Sequence, residues 1–296
     1  MNTKLFDMLF NNILLPVDFT INSDVAVKKA MELVVQFDDA SIHLLHVVSP
    51  LTTWGGITLY PFHAVTRAET FYHNQEDFAL QKLQSKMAAL LPTVRIKTML
   101  IEGGIEKSII EASKALRSDL IVIGKHHRQR WLPLFTSVSP DRIAQSSDCP
   151  VLTVKPGSVD QKIKSIVVPI GKFVPKRKIE LLSALSKKFH ATIHLVTLQK
   201  ESTVISMDAS HALLQTYRML KGRGLVAQLV HKVMKGNNLA RAALKYAESI
   251  QADILLVNPK TETRLSSFTG QHITDRLWNN SRLQVLEVEP YRILNF

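Results

Sequence analysis

A chain of 296 residues is long enough for two ordinary domains, and its 46% apolar and 21% charged residues argue against wholesale disorder. The net charge of +12, from 37 basic and 25 acidic residues, favours anionic partners (nucleotides, nucleic acid or a membrane surface) without choosing among them. The longest apolar runs fall far short of the ~20 residues of a membrane helix. MNTKLFDMLFNN lacks a proper h-region and a cleavage site, so no secretory signal is expected. The single cysteine, Cys149, excludes an internal disulfide and fits a reducing cytoplasm; at the start of an apolar run, it reads as buried and inert.

Strand-like runs fall near 12–17, 41–48, 94–101, 119–124 and 150–154. Between them Ala26, Ala30, Leu33 and Phe37 mark one helix face, and Leu80, Leu83, Met87 and Leu90 a second. Ile105, Ile109, Ala112 and Leu116 mark a third, and a short helix fits Ser139 to Gln145. The segment 51–68, LTTWGGITLYPFHAVTRA, reads as a connection too long and apolar to be simple; it either covers a site or docks against another part of the chain. The scheme then repeats. NILLPVDF (12–19) recurs as SIVVPIGKF (165–173), and ASIHLLHVV (40–48) as ATIHLVTLQ (191–199). SDLIVIGK (118–125) recurs as ADILLVNPK (252–260), and CPVLTVKP (149–156) as LQVLEVEP (283–290), while Leu239, Ala243, Tyr246 and Ile250 mark the second copy's third helix. The chain is read as a tandem duplication: a first domain over 1–156, a linker over 157–162 and a second domain over 163–296. Near-continuous apolar strands alternating with helices predict two open α/β sandwiches, each with a five-stranded parallel sheet covered on both faces.

Ligands of open α/β sheets bind beyond the carboxyl ends of the strands, where the strand order reverses. The residues to inspect are Pro16, Val17 and Asp18 after the first strand, His46 to Val48 at the second, and Gly124 with GKHHRQRWLPLFTS (124–137) after the fourth. The hydroxyls and backbone N–H groups of Ser137, Val138 and Ser139, at the start of a helix, suit a phosphate. ILLPVDFT, LLHVV, DLIVIGKHH and TSVSPDRIAQSSDCPVLTVKP together resemble the universal stress protein family, over almost the whole chain as two copies.

The resemblance implies a Rossmann-like fold that binds an adenine nucleotide, ATP or AMP, with Mg2+ entering only with ATP. By position Asp18 accepts hydrogen bonds from adenosine, Val47 lines the adenine pocket, and Ile123 and Gly124 flank the phosphates. Two of the three family loop glycines are missing: His127 and Thr136 stand in their places. A glycine there gives positive φ and close backbone approach; Lys125, His126, His127, Arg128 and Arg130 offer charge instead. In the second copy the aspartate position holds Gly171, the glycine position Asn258, and the valine position Leu198, so that copy reads as structural or regulatory. The last strand of each copy resembles the edge through which family members pair, so the halves are expected to form an internal pseudo-dimer.

The P-loop, dinucleotide, nucleophile-elbow and zincin motifs are missing, and no catalytic base is identifiable, so the expected action is binding rather than fast catalysis. His126 and His127 lack the Cys or carboxylate neighbours of a metal set. The rival from another class is nucleic-acid binding through Lys125 to Arg130 with Trp131 and Phe135, and through the basic run VPKRK (174–178). A further alternative is a module for unknown protein partners, with a homodimer beyond the internal one; a membrane partner is not expected.

Overall fold

The computed structural model describes residues 10–37, 39–48, 62–125, 138–199, 207–223, 228–265, 271–278 and 280–290, with backbone only for 62–73 and 207. The first copy runs β1 (Asn12–Pro16), α1 (Ile21–Val34), β2 (Ser41–Val48), α2 (Phe62–Leu90), β3 (Arg95–Glu102), α3 (Ile105–Ala115), β4 (Leu120–Gly124), α4 (Pro140–Ser147) and β5 (Val151–Val154). The second repeats it as β6 (Ser165–Pro169), α5 (Lys176–Phe189), β7 (Thr192–Gln199), α6 (Met207–Gly222), β8 (Leu229–Lys235), α7 (Leu239–Ser249), β9 (Ile254–Val257), α8 (Ile273–Arg276) and β10 (Gln284–Glu287).

Side-chain caps and left-handed turns set several helix ends. The Thr20 and Asn238 side chains accept backbone N–H groups in the first turns of α1 and α7. Asp148 and His190, with φ of 56° and 53°, end α4 and α5. Two sequence expectations change here. The segment 51–68 is helical from Phe62 onward as the start of α2, and its aromatic residues Trp54 and Tyr60 lie outside the described residues. Leu90, read as part of an apolar face, is exposed at the last turn of α2.

One sheet of ten strands carries the chain, in the order β3-β2-β1-β4-β5-β10-β9-β6-β7-β8. Each half is a five-stranded parallel sheet, as the apolar runs predicted, and the halves join where β5 and β10 pair antiparallel, Leu152 opposite Leu286. The expected internal pseudo-dimer is therefore a single continuous sheet. Asp119 and Asp253 close the opposite, amino-terminal edges alike. Asp119 accepts the backbone N–H groups of Asn11 and Asn12, and Asp253 those of Lys164 and Ser165. These aspartates of the repeated SDL and ADI runs tie the fourth strand of each copy to the first.

The two faces of the sheet differ. Under α1, α2, α5 and α6 one apolar core runs through both copies, from Leu15 and Ala26 to Leu182 and Val288. Phe37 and Phe189, with ring centroids 6.5 Å apart in an edge-on arrangement, extend it between the ends of α1 and α5. On the other face each copy keeps its own core, one holding Leu14, Ile123 and the buried Cys149, the other Val167, Leu255 and Val285. The expected inert cysteine is borne out: burial pushes the Cys149 thiol far above its usual range.

Between those two cores, Thr153, Lys155 and Glu287 are buried at the β5–β10 seam, and the Thr153 hydroxyl, the Lys155 ammonium and Glu287 Oε2 have no partner among the described residues. Burial, then repulsion from Asp141, pushes the Glu287 carboxyl from 4.5 up to about 8, with Lys125 opposing and Asp275 adding. Burial, then repulsion from Lys125, pulls Lys155 from 10.5 down to about 8, with Asp275 opposing. Between pH 4.5 and 8 the fold keeps the Glu287 proton that the unfolded chain has lost, so stability falls as pH rises. Between 8 and 10.5 the unfolded chain keeps the Lys155 proton that the fold has lost, so stability recovers. These two groups should therefore produce a stability minimum near pH 8. Glu287→Gln, the shape of the neutral acid, should raise the thermal midpoint by several degrees near that minimum and leave it nearly unchanged at pH ~3.5, below the unfolded value. Thermal melts across this range check it.

Candidate functional site at the strand ends

In each half the strand order reverses between the first strand and the fourth, which is where such sheets open a crevice. In the first half β1 ends at Pro16, and Val17 continues it with an N–H to the Leu45 carbonyl at 2.8 Å. Asp18 then stands exposed, its Oδ1 accepting the Thr20 N–H at 3.0 Å and the Thr20 hydroxyl at 2.6 Å. The chain turns through Phe19 in the left-handed region, φ 57°, a conformation that costs a side chain on the order of 1 kcal/mol. The half-exposed Phe19 ring leans over His46, centroids 4.8 Å apart. His46 donates from Nδ1 to the Val17 carbonyl at 2.7 Å, and its Nε2 lies 3.5 Å from Glu76 of α2. The sequence marked His46 for inspection at the end of the second strand and gave Phe19 no role.

Three of the expected site residues meet in one place. Val47, Ile123 and Val138 all pack in the apolar core under α3 and α4. Gly124 has a packing reason to be glycine: a Cβ there would lie 1.8 Å from the Asn22 carbonyl oxygen, so β4 ends against the first turn of α1. Ser139 caps α4, its hydroxyl accepting the Arg142 N–H at 3.4 Å. Its own N–H donates to the Glu106 carboxylate at 2.7 Å, and Arg142 holds the same oxygen at 3.0 Å. A carboxylate from α3 thus already engages a donor that the sequence assigned to phosphate. His127 and Ser137, with the whole run 126–137, lie outside the described residues.

At the corresponding strand ends of the second half lies a buried ion pair. Lys178 of α5, almost wholly buried, donates to the Pro169 carbonyl at the end of β6 at 3.3 Å and pairs closely with Glu262. The same Glu262 oxygen accepts the Asn258 N–H, just past β9, at 2.8 Å. The pair therefore bridges the two strand ends that border the crevice. It also changes the reading of VPKRK as a basic patch. Lys178 is internal, and Arg177 spends its guanidinium on the carbonyls of Asp148 and Glu289.

Two further contacts cross the seam. After β4, Lys125 reaches over to Asp275 of α8 at 2.8 Å, with the Thr274 hydroxyl at 3.3 Å. After β9, the Lys260 N–H and the Thr263 hydroxyl reach Asp141 of α4 at 2.8 and 2.6 Å. Asp141-Arg142 and Asp275-Arg276 occupy matching places in the two copies, a repeated dipeptide that could have flagged this exchange. Among the described residues no three His, Cys, Asp or Glu side chains gather as a metal set, and no helix is long and apolar enough to cross a membrane.

These features define a tandem α/β protein whose halves share one sheet and differ at their crevices. Residues 9–155 match the model of the universal stress protein family, and through them the chain belongs to that family. No curated protein matches the chain. Among solved structures, a universal stress protein from Archaeoglobus fulgidus DSM 4304 superposes with a TM-score of 0.68 at 16% identity, covering 95% of this chain and 98% of that one. A putative universal stress protein from Pseudomonas aeruginosa UCBPP-PA14 gives 0.50 at 16% identity, covering 97% and 95%. A functionally unknown protein from Pseudomonas aeruginosa PAO1 gives 0.52 at 16% identity, covering 97% and 94%. At such identities these likenesses speak for the fold across both halves.

Gly124→Ala should cost ~1–3 kcal/mol or more, because the clash is with backbone and no side chain can yield; urea unfolding measures it. Glu262→Ala should cost ~3–5 kcal/mol by leaving a buried ammonium unpaired, whereas Lys178→Met with Glu262→Gln should recover most of that loss. The same unfolding curves decide it.

Proposed function

We propose that the protein acts in stress response by binding one adenine nucleotide, ATP or AMP, at the strand ends of its first half, and that its second half carries no nucleotide. The observation that carries this reading is the contrast between the two crevices. The second is occupied by its own Lys178–Glu262 pair. At the first, Asp18 stands exposed beside Pro16 and Val17, and the apolar group of Val47, Ile123 and Val138 packs nearby under α3 and α4. In this reading Asp18 accepts from the adenosine hydroxyls, Val47 supplies apolar wall, and Gly124, Ser137 and Ser139 border the phosphates, with Glu106 giving up the Ser139 N–H as phosphate enters. Mg2+ would accompany ATP alone. Binding, relayed to protein partners, is the output.

The nucleic-acid reading loses support because much of the basic charge it relied on is spent internally, at Lys125, Arg177 and Lys178. Calorimetric titration of the intact protein with ATP, AMP and adenosine tests the proposal. Asp18→Ala should weaken all three about tenfold or more and, through the lost Thr20 contacts, cost only ~1 kcal/mol of stability. Undiminished affinity in that variant, or no heat from the wild type at millimolar ligand, would overturn it.

A further inference from the structure

Lys125 is the first residue after the glycine that ends β4, and its N–H to the Val154 carbonyl at 3.2 Å keeps it alongside the end of β5. Its ammonium is nevertheless committed to the other half, through Asp275 and Thr274 of α8. Both partners of the ion pair are largely buried, their side chains 15% and 19% exposed. Asp275 is fixed in turn by the His272 N–H, which donates to its second oxygen at 3.3 Å in a reciprocal cap of α8. Burial alone would raise the Asp275 carboxyl, but the charge and hydrogen bond of Lys125, then His272, hold it below its usual value.

A second lysine stands ready nearby. Lys155, the first residue after β5, is fully buried, and its ammonium has no partner among the described residues. Lys125 and Lys155 repel each other, and Asp275 attracts both. The carboxylate therefore lies within the field of two ammonium groups and bonds to only one of them. Asp141 and Glu287 complete the charged surroundings of the seam, the first already bonded to Lys260 and Thr263. The exchange between halves is thus asymmetric. Asp141 grips fixed groups, a backbone N–H and a hydroxyl, while Asp275 grips a long side chain whose backbone directly follows Gly124 of the candidate phosphate place.

We propose that Asp275 of the second half sets the phosphate affinity of the first half's site by competing with the nucleotide phosphate for Lys125. The inference rests on the nucleotide reading above and names a regulator within it. Without ligand, Asp275 neutralises Lys125. When a phosphate takes Lys125, the ammonium exchanges one anion for another and is never left bare, and Asp275 moves to the waiting Lys155. An anion swap of this kind avoids the large penalty of stranding a buried charge. By reciprocity, whatever fixes α8 to Lys125 weakens phosphate binding, and a bound phosphate loosens α8.

The test is calorimetric titration of the full chain with adenosine, AMP and ATP, for wild type, Asp275→Asn, Lys125→Met and the double variant. Asp275→Asn should raise ATP affinity about fivefold or more and leave adenosine affinity unchanged. Lys125→Met should lower ATP affinity selectively, and adding Asp275→Asn to it should change nothing. Asp275→Glu, which keeps the charge, should hold the ATP-to-adenosine ratio near that of wild type, and Asp275→Ser, which removes the charge, carries the test with the same expected rise should Asp275→Asn fold poorly. Equal shifts for adenosine and ATP, an unchanged ATP affinity in Asp275→Asn, or a ratio altered in Asp275→Glu as much as in Asp275→Asn would overturn the coupling while leaving the nucleotide reading intact. Absence of binding by all three ligands in every variant would overturn both.

Discussion

The antiparallel pairing of β5 with β10 is the constraint on which the rest of the molecule depends. Each half alone would end in a strand with an unpaired edge, VLTV in one copy and QVLE in the other, both fully buried in the joined sheet. Such an edge invites association with another chain. Joining the two edges removes that hazard, continues one apolar core across both halves, and fixes the halves about an approximate twofold through Leu152 and Leu286. The twofold brings α4 and α8 over the seam, and so brings Asp141 and Asp275 to the segments that follow β9 and β4.

The seam is also where the fold departs from apolar packing. Thr153 and Glu287 occupy the same place in the two copies, and each leaves an oxygen without a partner among the described residues. A buried polar group without a partner costs more than it returns. Burial shifts both Lys155 and Glu287 there, so the seam is a part of the core whose charge state responds to protons. The two halves share a backbone plan while dividing the work: in one copy a buried lysine and glutamate span the strand ends, and in the other an exposed aspartate stands there.

Much of this architecture was legible in the sequence. Fully buried parallel strands need unbroken apolar runs, so ILLP, IVVP, LIVI and ILLV announced themselves, and their repetition gave both sheets and the pairing edge. The helix over Phe62 to Ala68 was missed because aromatic and β-branched residues there carry little helical periodicity. Of the candidate site, its apolar members were legible as packing residues: Val47, Ile123 and Val138 belong to one apolar cluster. Its charges were not. Lys178 read as part of a basic run, and only the fold shows that Glu262, 84 residues away, meets it. Lys125 likewise read as loop charge, although its partner Asp275 lies 150 positions on in the chain (275 minus 125). Periodicity reports which face is apolar, whereas ion pairs of such separation depend on how the halves dock. Glu287, the first of two glutamates within LQVLEVEP, was the available sign that the seam holds something other than packing.

The central claim is that one copy of the duplicated fold keeps a nucleotide place and the other has closed it with its own side chains. Native mass spectrometry of the 33.3 kDa chain with saturating ATP counts the sites directly. The account requires one nucleotide per chain; two per chain, or none at any concentration, would contradict it.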